Sequence, residues 1–137
     1  MCTPAQMTAL IDEHLEREIA GDAAGAVAVY TADVEHDVVG SPMGVLHGPD
    51  AAQELYEHLI SDLKVTTMSK VREGFGADFA VIEHVVDATV PGTFLGFEGN
   101  GRPVHFRMLH VFNFRDDMIC RENVWLDSAS IADQLST

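Results

Sequence analysis

Basic residues are scarce in this sequence. Eight Lys and Arg stand against 22 Asp and Glu, which gives a formal net charge of −14 over 137 residues. A surface of this charge repels the phosphate backbone of nucleic acids and the anionic face of a membrane. We therefore expect neither nucleic acid nor a membrane among the partners of the protein.

Cysteine and long apolar runs are scarce as well. Cys2 and Cys120 form no Cys-x-x-Cys pair, so the sequence predicts neither a zinc knuckle nor a redox motif. No apolar run approaches the roughly 20 residues of a membrane-spanning helix, and the N-terminus shows no secretory signal. These absences favour a cytoplasmic location. No linker or repeat divides the chain, and its length fits one domain over residues 1–137.

The first half of the chain has the apolar period of helices. Cap and breaker residues delimit one helix from Thr3 to Gly21, a short Ala-rich helix from Asp22 to about Tyr30, and a third helix that begins at Gly48. A short strand, Val34 to Val39, lies between the second and third helices.

From Val65 the apolar period becomes that of strands. Four strands are predicted: Val65 to Val71, Phe79 to Thr89, Val104 to Phe114 and Met118 to Asp127. Helices followed by an antiparallel meander predict an α+β fold. Helices laid across one face of a bent sheet leave a cavity between the two layers.

Several segments resemble known families. The run T-V-P-G-T-F-L-G-F precedes the strand sequences F-R-M-L-H-V-F-N-F and M-I-C-R-E-N-V-W-L-D and a closing A-D-Q-L, and Y-T-A-D-V-E-H-D-V-V-G-S lies nearer the front. Together they resemble the SnoaL-like polyketide cyclases and, more distantly, the ketosteroid isomerases. The resemblance implies the nuclear transport factor 2-like cone, with N-terminal helices packed on a strongly curved, mainly antiparallel sheet around a pocket for a small hydrophobic molecule. It also implies a homodimer formed through the outer sheet face, where Leu109, Val111 and Val85 are apolar.

His110 is the first catalytic candidate. Strand alternation puts it on an apolar face with Phe106, Met108 and Phe112. An imidazole there can donate a hydrogen bond to a developing oxyanion or take up a proton near neutral pH. The alternative is a core histidine paired with a backbone carbonyl. In the resembling cyclases the matching position is also histidine, and in the isomerases it is the acid that donates to the substrate oxygen.

Asp37 is the second candidate. Its segment is similar to the isomerase segment that carries the proton-moving aspartate, if one gap follows Tyr30; without the gap, His36 takes that place. A carboxylate at the mouth of an apolar pocket can abstract a proton from carbon next to a carbonyl. Both residues could equally decorate a strand end.

His14 lies on the inward stripe of the first helix. It occupies the place of the oxyanion-binding tyrosine of the ketosteroid isomerases, so the resemblance implies a hydrogen-bond donor there. A packing role is the alternative.

The last strand raises a question of register. Its resemblance to the cyclases places Val124 where they carry a catalytic aspartate, and Glu122 lies on the same face as a substitute base. A two-residue turn at Asp116-Asp117 would put Asn123 opposite His110, with Asn123, Trp125 and Asp127 turned inward. An extra bulged residue would turn Glu122, Val124 and Leu126 inward instead. We predict the bulged arrangement, with Asp127 outward; the alternative for Glu122 is a solvent-facing carboxylate paired with Arg107 or Arg121.

The remaining predictions concern ligands and function. Seven residues are predicted to line the pocket: Tyr30, Phe94, Phe106, Met108, Phe112, Val124 and Leu126. The Gly-rich loop with Phe94 is either a lid or a surface loop anchored by its aromatic residues. No short histidine spacing indicates a metal, and we predict no cofactor. We expect an enzyme of cyclase or isomerase type, in which Asp37 or Glu122 abstracts a proton from a hydrophobic carbonyl compound and His110 stabilises the enolate. A dehydratase or an epoxide hydrolase is a less favoured variant. The alternative class is a non-catalytic module that binds an apolar ligand or another protein.

Overall fold

The computed structural model describes residues 2–136. Within that range the helices are α1 (Pro4–Ile19), α2 (Ala23–Val27), α3 (Pro49–Asp62) and α4 (Ser128–Leu135). The strands are β1 (Tyr30–Val38), β2 (Val45–His47), β3 (Lys64–Phe75), β4 (Phe79–Val90), β5 (Thr93–Phe94), β6 (Phe97–Glu98), β7 (Arg102–Arg115) and β8 (Met118–Leu126).

A six-stranded sheet runs in the order β2-β1-β8-β7-β4-β3, and β5 and β6 form a separate hairpin. Neighbouring strands of the large sheet are antiparallel except β1 and β8, which are parallel. Helices pack on one face of this curved sheet, so the prediction of an α+β fold with a curved, mainly antiparallel sheet is confirmed. None of the helices within residues 2–136 combines the length and apolarity needed to cross a membrane.

Local sequence signals explain the ends of the first two helices. The Thr3 hydroxyl accepts a hydrogen bond from the Gln6 backbone N–H, and the Gln6 side chain accepts one from the Thr3 backbone N–H, so a capping box begins α1. The Asp22 carboxylate accepts from the Gly25 N–H at the start of α2. The sequence predicts that this helix extends to about Tyr30. In the structure it ends at Val27, and Tyr30 is the first residue of β1.

Three features were not predicted, the first being the short strand β2 (Val45–His47). The β5–β6 hairpin occupies the loop that carries Phe94, and α4 follows β8. The Asp127 carboxylate accepts a hydrogen bond from the Ser130 N–H (3.4 Å) and so caps α4. Ser-Ala-Ser has little apolar periodicity of its own, and this helix is held by burial of Ile131 and Leu135 against the sheet.

The core consists of two apolar clusters. The first joins α1 and α2 to the sheet through residues such as Ile11, Phe112 and Ile119. The second includes Phe106 and Ile131. Along β4 and β7 the residues between the two clusters are His84 and His110, both buried. The interior therefore contains a polar layer between two apolar regions, and the candidate site lies in this layer.

Candidate active site

The β7–β8 hairpin places Glu122 inside the protein. Asp116 and Asp117 form its two-residue turn, with φ angles of 55° and 58°. The ladder then shifts between Asn113 and Phe114, and Cys120 is the extra residue of a β-bulge. Beyond the bulge Glu122 lies opposite Phe112 and is 1% exposed. The hairpin thus combines the tight turn with the bulged, Glu122-inward arrangement.

The Glu122 carboxylate lies at the centre of a cluster of hydroxyl and imidazole groups. Tyr30 donates a hydrogen bond to Oε1 (2.6 Å), and the Tyr56 hydroxyl lies 3.5 Å from Oε1 and 3.4 Å from Oε2. The His14 Nε2 is 3.1 Å from Oε1. The Nε2 atoms of His36 and His110 each lie 3.7 Å from Oε2. Oε1 is therefore tightly bound, whereas Oε2 has looser partners.

The hydrogen bonds of His14 determine its charge. Its Nδ1 lies 2.7 Å from the carbonyl oxygen of Ala26, which can only accept, so Nδ1 carries a proton. A neutral ring would then present a lone pair to the Glu122 carboxylate at 3.1 Å, which is repulsive. Burial lowers the pKa of His14, but the charge and hydrogen bond of Glu122 outweigh this and raise it to about 9. Burial also opposes ionisation of Glu122, yet His14 and His36 hold the pKa of Glu122 well below its usual range. Glu122 and His14 are thus a buried ion pair.

His110 has the opposite electrostatic character. Burial, which the Glu122 charge only partly offsets, lowers its pKa to about 4, so the ring is neutral at physiological pH. It stacks on Phe112 with ring centroids 5.3 Å apart. Its Nδ1 has no hydrogen-bond partner among residues 2–136. Its Nε2 faces Glu122, so the neutral His110 ring can donate a hydrogen bond there. Its low pKa means that it does not hold an extra proton at physiological pH.

The structure separates the four predicted catalytic residues. It brings His14, His110 and Glu122 together, but Asp37 lies on the opposite face of β1, where its carboxylate accepts a hydrogen bond from the Asn123 amide (3.1 Å). Strand alternation is the physical reason, because neighbouring residues point to opposite faces. His36, which takes the place of Asp37 if no gap is introduced, is the residue in the cluster, and its Nε2 lies 2.8 Å from the Tyr56 hydroxyl.

Sequence reasoning did not single out Tyr56 or Glu18. Tyr56 lies on the buried stripe of α3 and is 2% exposed, and a buried tyrosine hydroxyl usually has a polar partner. Glu18 follows His14 by one helical turn, and its Oε2 is 3.9 Å from the His14 Nε2. The spacing of four residues on an amphipathic helix was the available signal for this pair.

The residues predicted to line the pocket fall into two groups. Tyr30, Phe112 and Val124 lie beside the cluster. Phe94, Phe106, Met108 and Leu126 belong to the second apolar cluster or pack against it. Phe94 is 6% exposed and packs on Phe106 with ring centroids 5.6 Å apart. In this structure Phe94 therefore anchors the hairpin to the core.

A pocket of about 400 Å³ opens beside the cluster. Its walls come from the ends of α1 and α3 and the start of β3: Glu18, Ile19, Ala20, Gly21, Leu59, Ile60, Ser61, Leu63, Lys64 and Val65, with Pro91. Leu59 also packs against both apolar clusters. The pocket is large enough for a small apolar molecule, and Glu18 connects its wall to His14.

Within residues 2–136 no group of three or more His, Cys, Asp or Glu side chains is arranged to hold a metal ion. The cluster itself contains a buried ionised carboxylate, the His14 imidazolium, the neutral imidazole of His110, the His36 ring and two tyrosine hydroxyls. Both tyrosines stay protonated, because burial and then the charge of Glu122 raise the pKa of each well above its usual value. Such a set can accept a proton and donate hydrogen bonds to an oxyanion.

Comparison with known proteins places the chain in a family. The SnoaL-like polyketide cyclase model matches residues 11–135. No curated protein matches the sequence. Among solved structures, a candidate polyketide cyclase from Xanthomonas campestris pv. campestris is similar at 19% identity, with coverage of 96% of this chain and 97% of that chain and a TM-score of 0.82. TsrD from Streptomyces laurentii is 17% identical, with 98% of each chain covered and a TM-score of 0.84.

A more distant similarity is to a LEH-like epoxide hydrolase from M. tuberculosis. It is 14% identical, with 96% of this chain and 90% of that chain covered and a TM-score of 0.75. At these identities the solved structures establish a shared nuclear transport factor 2-like fold, while the match over residues 11–135 carries the family assignment. The chain belongs to the SnoaL-like polyketide cyclase family.

Proposed function

We propose that the protein is a cofactor-independent enzyme that abstracts a proton from a small hydrophobic carbonyl compound and stabilises the resulting enolate, as a cyclase or isomerase. One observation carries this proposal: the buried carboxylate of Glu122 is ionised beside His14 and surrounded by neutral hydrogen-bond donors. Family membership and a neighbouring pocket of about 400 Å³ support it.

The proton acceptor in this proposal is Oε2 of Glu122. Oε1 already accepts from Tyr30 at 2.6 Å and faces His14 at 3.1 Å. The partners of Oε2 lie at 3.4 to 3.7 Å, so this oxygen is the less tightly held of the two and is the one proposed to take the proton once substrate has reached the polar layer. The low pKa of Glu122 makes it a weak base. The reaction therefore depends on strong stabilisation of the enolate.

His110 and Tyr56 are the proposed oxyanion donors. As Glu122 takes the proton, the electron pair of the C–H bond moves onto the carbonyl oxygen, where negative charge develops. The neutral His110 imidazole lies 3.7 Å from Oε2 and the Tyr56 hydroxyl lies 3.4 Å from it, so each is placed to donate to a substrate oxygen held beside Oε2. Donors fixed by packing in a water-excluded site are effective because they need no reorganisation during the reaction.

Substrate would enter from the pocket beside α1 and α3. Leu59 lines that pocket and packs against both apolar clusters, so a shift of this side chain would open the pocket toward the polar layer. A substrate with an apolar body and one carbonyl group fits these surroundings, because the pocket wall supplies Ile19, Ile60 and Leu63. We expect a cytoplasmic location, because free cysteines such as Cys2 and Cys120 are kept reduced there.

A non-catalytic module that holds an apolar ligand is the second candidate. The favouring observation is that the six residues of the cluster are each at most 3% exposed and their side chains contact one another. A ligand that stays in the outer pocket would leave this network intact and undergo no reaction.

Hydrogen–deuterium exchange separates the two candidates. The protein is incubated in D₂O with a panel of apolar enolisable ketones, and deuterium incorporation at carbon is followed by mass spectrometry. We expect exchange above the buffer rate for at least one ketone, and Glu122→Gln should lower the rate by about 100-fold or more, since a neutral amide accepts no proton.

Glu35→Gln is the matched control. Glu35 lies on the outer face of β1, where it accepts from Arg121 at 2.8 Å, so its loss removes the same charge on the opposite face of the sheet from the cluster. Equal exchange rates in the wild type and Glu122→Gln would contradict the enzymatic proposal. Binding of a ketone with no exchange would establish the binding module instead.

A further inference from the structure

We infer that Glu18 is a positioning carboxylate that shares the His14 proton with Glu122 and releases protons from the buried cluster into the pocket. This inference rests on the proposed function. When Glu122 takes a proton from substrate, the buried cluster gains one positive charge, and release of a proton from Glu18 removes it. Glu18 would act through His14 and needs no contact with the reacting carbon.

The first supporting observation is that two carboxylates face one N–H group. The His14 Nδ1 proton is bound to the carbonyl oxygen of Ala26 at 2.7 Å. The remaining ring nitrogen, Nε2, lies 3.1 Å from Glu122 Oε1 and 3.9 Å from Glu18 Oε2, and the hydroxyls of Tyr56 and Tyr30 lie 3.1 and 3.3 Å from it. The single Nε2 proton is within hydrogen-bond distance of Glu122 in this structure, and at 3.9 Å Glu18 is the second carboxylate with which the imidazolium forms an ion pair.

The second observation is that the two carboxylates differ in access to solvent. The Glu122 side chain is 2% exposed, whereas that of Glu18 is 16% exposed and forms part of the pocket wall. A proton on Glu18 can thus exchange with solvent in the pocket while Glu122 remains sealed. The route runs from the pocket through Glu18 and His14 to Glu122.

Charge conservation couples the two carboxylates. With Glu122 ionised, its negative charge already balances the positive charge of His14, and burial raises the pKa of Glu18 to about 7. When Glu122 accepts a substrate proton, His14 is left as an uncompensated buried cation, which is unfavourable. Ionisation of Glu18 restores the balance: one proton enters at Glu122, one leaves from Glu18 into the pocket, and the buried net charge is unchanged.

Several ionisable groups face Glu18 and contribute to its titration. They are His14 on the same helix, Tyr56 on α3, His36 on β1 and Glu122 on β8, with Lys64 in the pocket wall. The positive charge of His14 favours ionisation of Glu18, and the charge of Glu122 opposes it. Removing the Glu122 charge should therefore lower the pKa of Glu18.

Nuclear magnetic resonance of the full chain tests the coupling without any substrate. The side-chain carboxyl carbons of glutamate and the imidazole nitrogens of histidine are labelled and titrated against pH. In the wild type we expect Glu18 to titrate near pH 7. In Glu122→Gln, which mimics the protonated carboxyl, we expect the pKa of Glu18 to fall by about one unit, a tenfold change in its acid dissociation.

Glu18→Gln provides a second measurement that does not require Glu122→Gln to fold. We expect it to lower the pKa of His14 by about one unit, because the charge of Glu18 supports the imidazolium. Glu16→Gln, an exposed change on the same helix, is the control and should leave the pKa of His14 unchanged.

Two results would overturn the inference: an unchanged Glu18 titration in Glu122→Gln, or an unchanged His14 titration in Glu18→Gln. Failure of the proposed function would look different, because coupled titrations would then accompany an absence of deuterium exchange into every ketone.

Discussion

At the scale of single residues, the function proposed here depends on why Glu122 is charged. A lone carboxylate at 1% exposure would be protonated, because burial strongly disfavours the ionised form. The Ala26 carbonyl oxygen prevents this indirectly: it fixes the Nδ1 proton of His14 and so makes the ring a cation toward Glu122. A backbone carbonyl at the end of α2 thereby maintains the base of the site. His110, whose Nδ1 has no such partner within residues 2–136, stays neutral because burial lowers its pKa.

This difference predicts how stability varies with pH. The folded pKa of His14, about 9, exceeds its ordinary 6.5, so its contribution is complete below pH 6.5 and is lost as pH rises through 9. We expect the free energy of unfolding to fall by about 3 kcal/mol over that range. Urea unfolding at a series of pH values measures it, and a flat profile from pH 6.5 to 9 would mean that His14 is neutral.

Below pH 6.5, His110 and Glu18 act in opposite directions. His110, with a folded pKa of about 4, destabilises the protein as pH falls from 6.5 to 4. Glu18, with its pKa raised from 4.5 to about 7, favours the folded state as pH falls through the same region. His110→Phe should therefore gain stability relative to the wild type as pH falls from 6.5 to 4, whereas the control His47→Phe, on exposed β2, should not.

At the scale of elements, the β5–β6 hairpin contains a mismatch between sequence and backbone. Leu95 and Gly96 form its two-residue turn with φ angles of 51° and 83°, and the Leu95 side chain is 43% exposed. Left-handed backbone is unfavourable for leucine and well tolerated by asparagine. We expect Leu95→Asn to raise the free energy of unfolding by about 0.5 to 1 kcal/mol. Leu95→Ala, which keeps the mismatch but removes the side chain, is the control for urea unfolding, and equal stabilities of the two variants would contradict the argument.

The elements also show what the sequence could and could not predict. Periodicity and caps located α1, α3 and the strands β4, β7 and β8, because each of these encodes its buried face in every turn or pair of residues. The bulge at Cys120 has no local signature, yet it decides whether Glu122 or Asn123 faces inward. Asp37 was placed in the site by a one-residue gap after Tyr30, and the parallel pairing of His36 with Glu122 shows why its neighbour occupies that position. Glu18 and Tyr56 reach the site only because α1 and α3 pack on the sheet. The order of apolar and polar residues along the sequence does not specify that packing.

At the scale of the whole molecule, we propose that two copies associate through the outer sheet face. Leu109 and Trp125 are paired across β7 and β8 and are 36% and 41% exposed, with Val111 and Val85 on the same face. An exposed apolar surface of this kind is typical of an interface. Each copy carries a formal charge of −14, so electrostatic repulsion opposes association and salt should weaken that repulsion.

We therefore expect a dimer whose dissociation constant falls by about tenfold between roughly 20 mM and 500 mM salt. Trp125→Glu should give a monomer at both concentrations, because it places a charge in the centre of the apolar face. Met43→Glu introduces the same charge at a side chain that is 54% exposed in the connection from β1 to β2 and should leave the dimer intact. Sedimentation equilibrium measures all three proteins. A monomeric wild type at high salt, or equal dissociation constants for wild type and Trp125→Glu, would show that this face is not the interface.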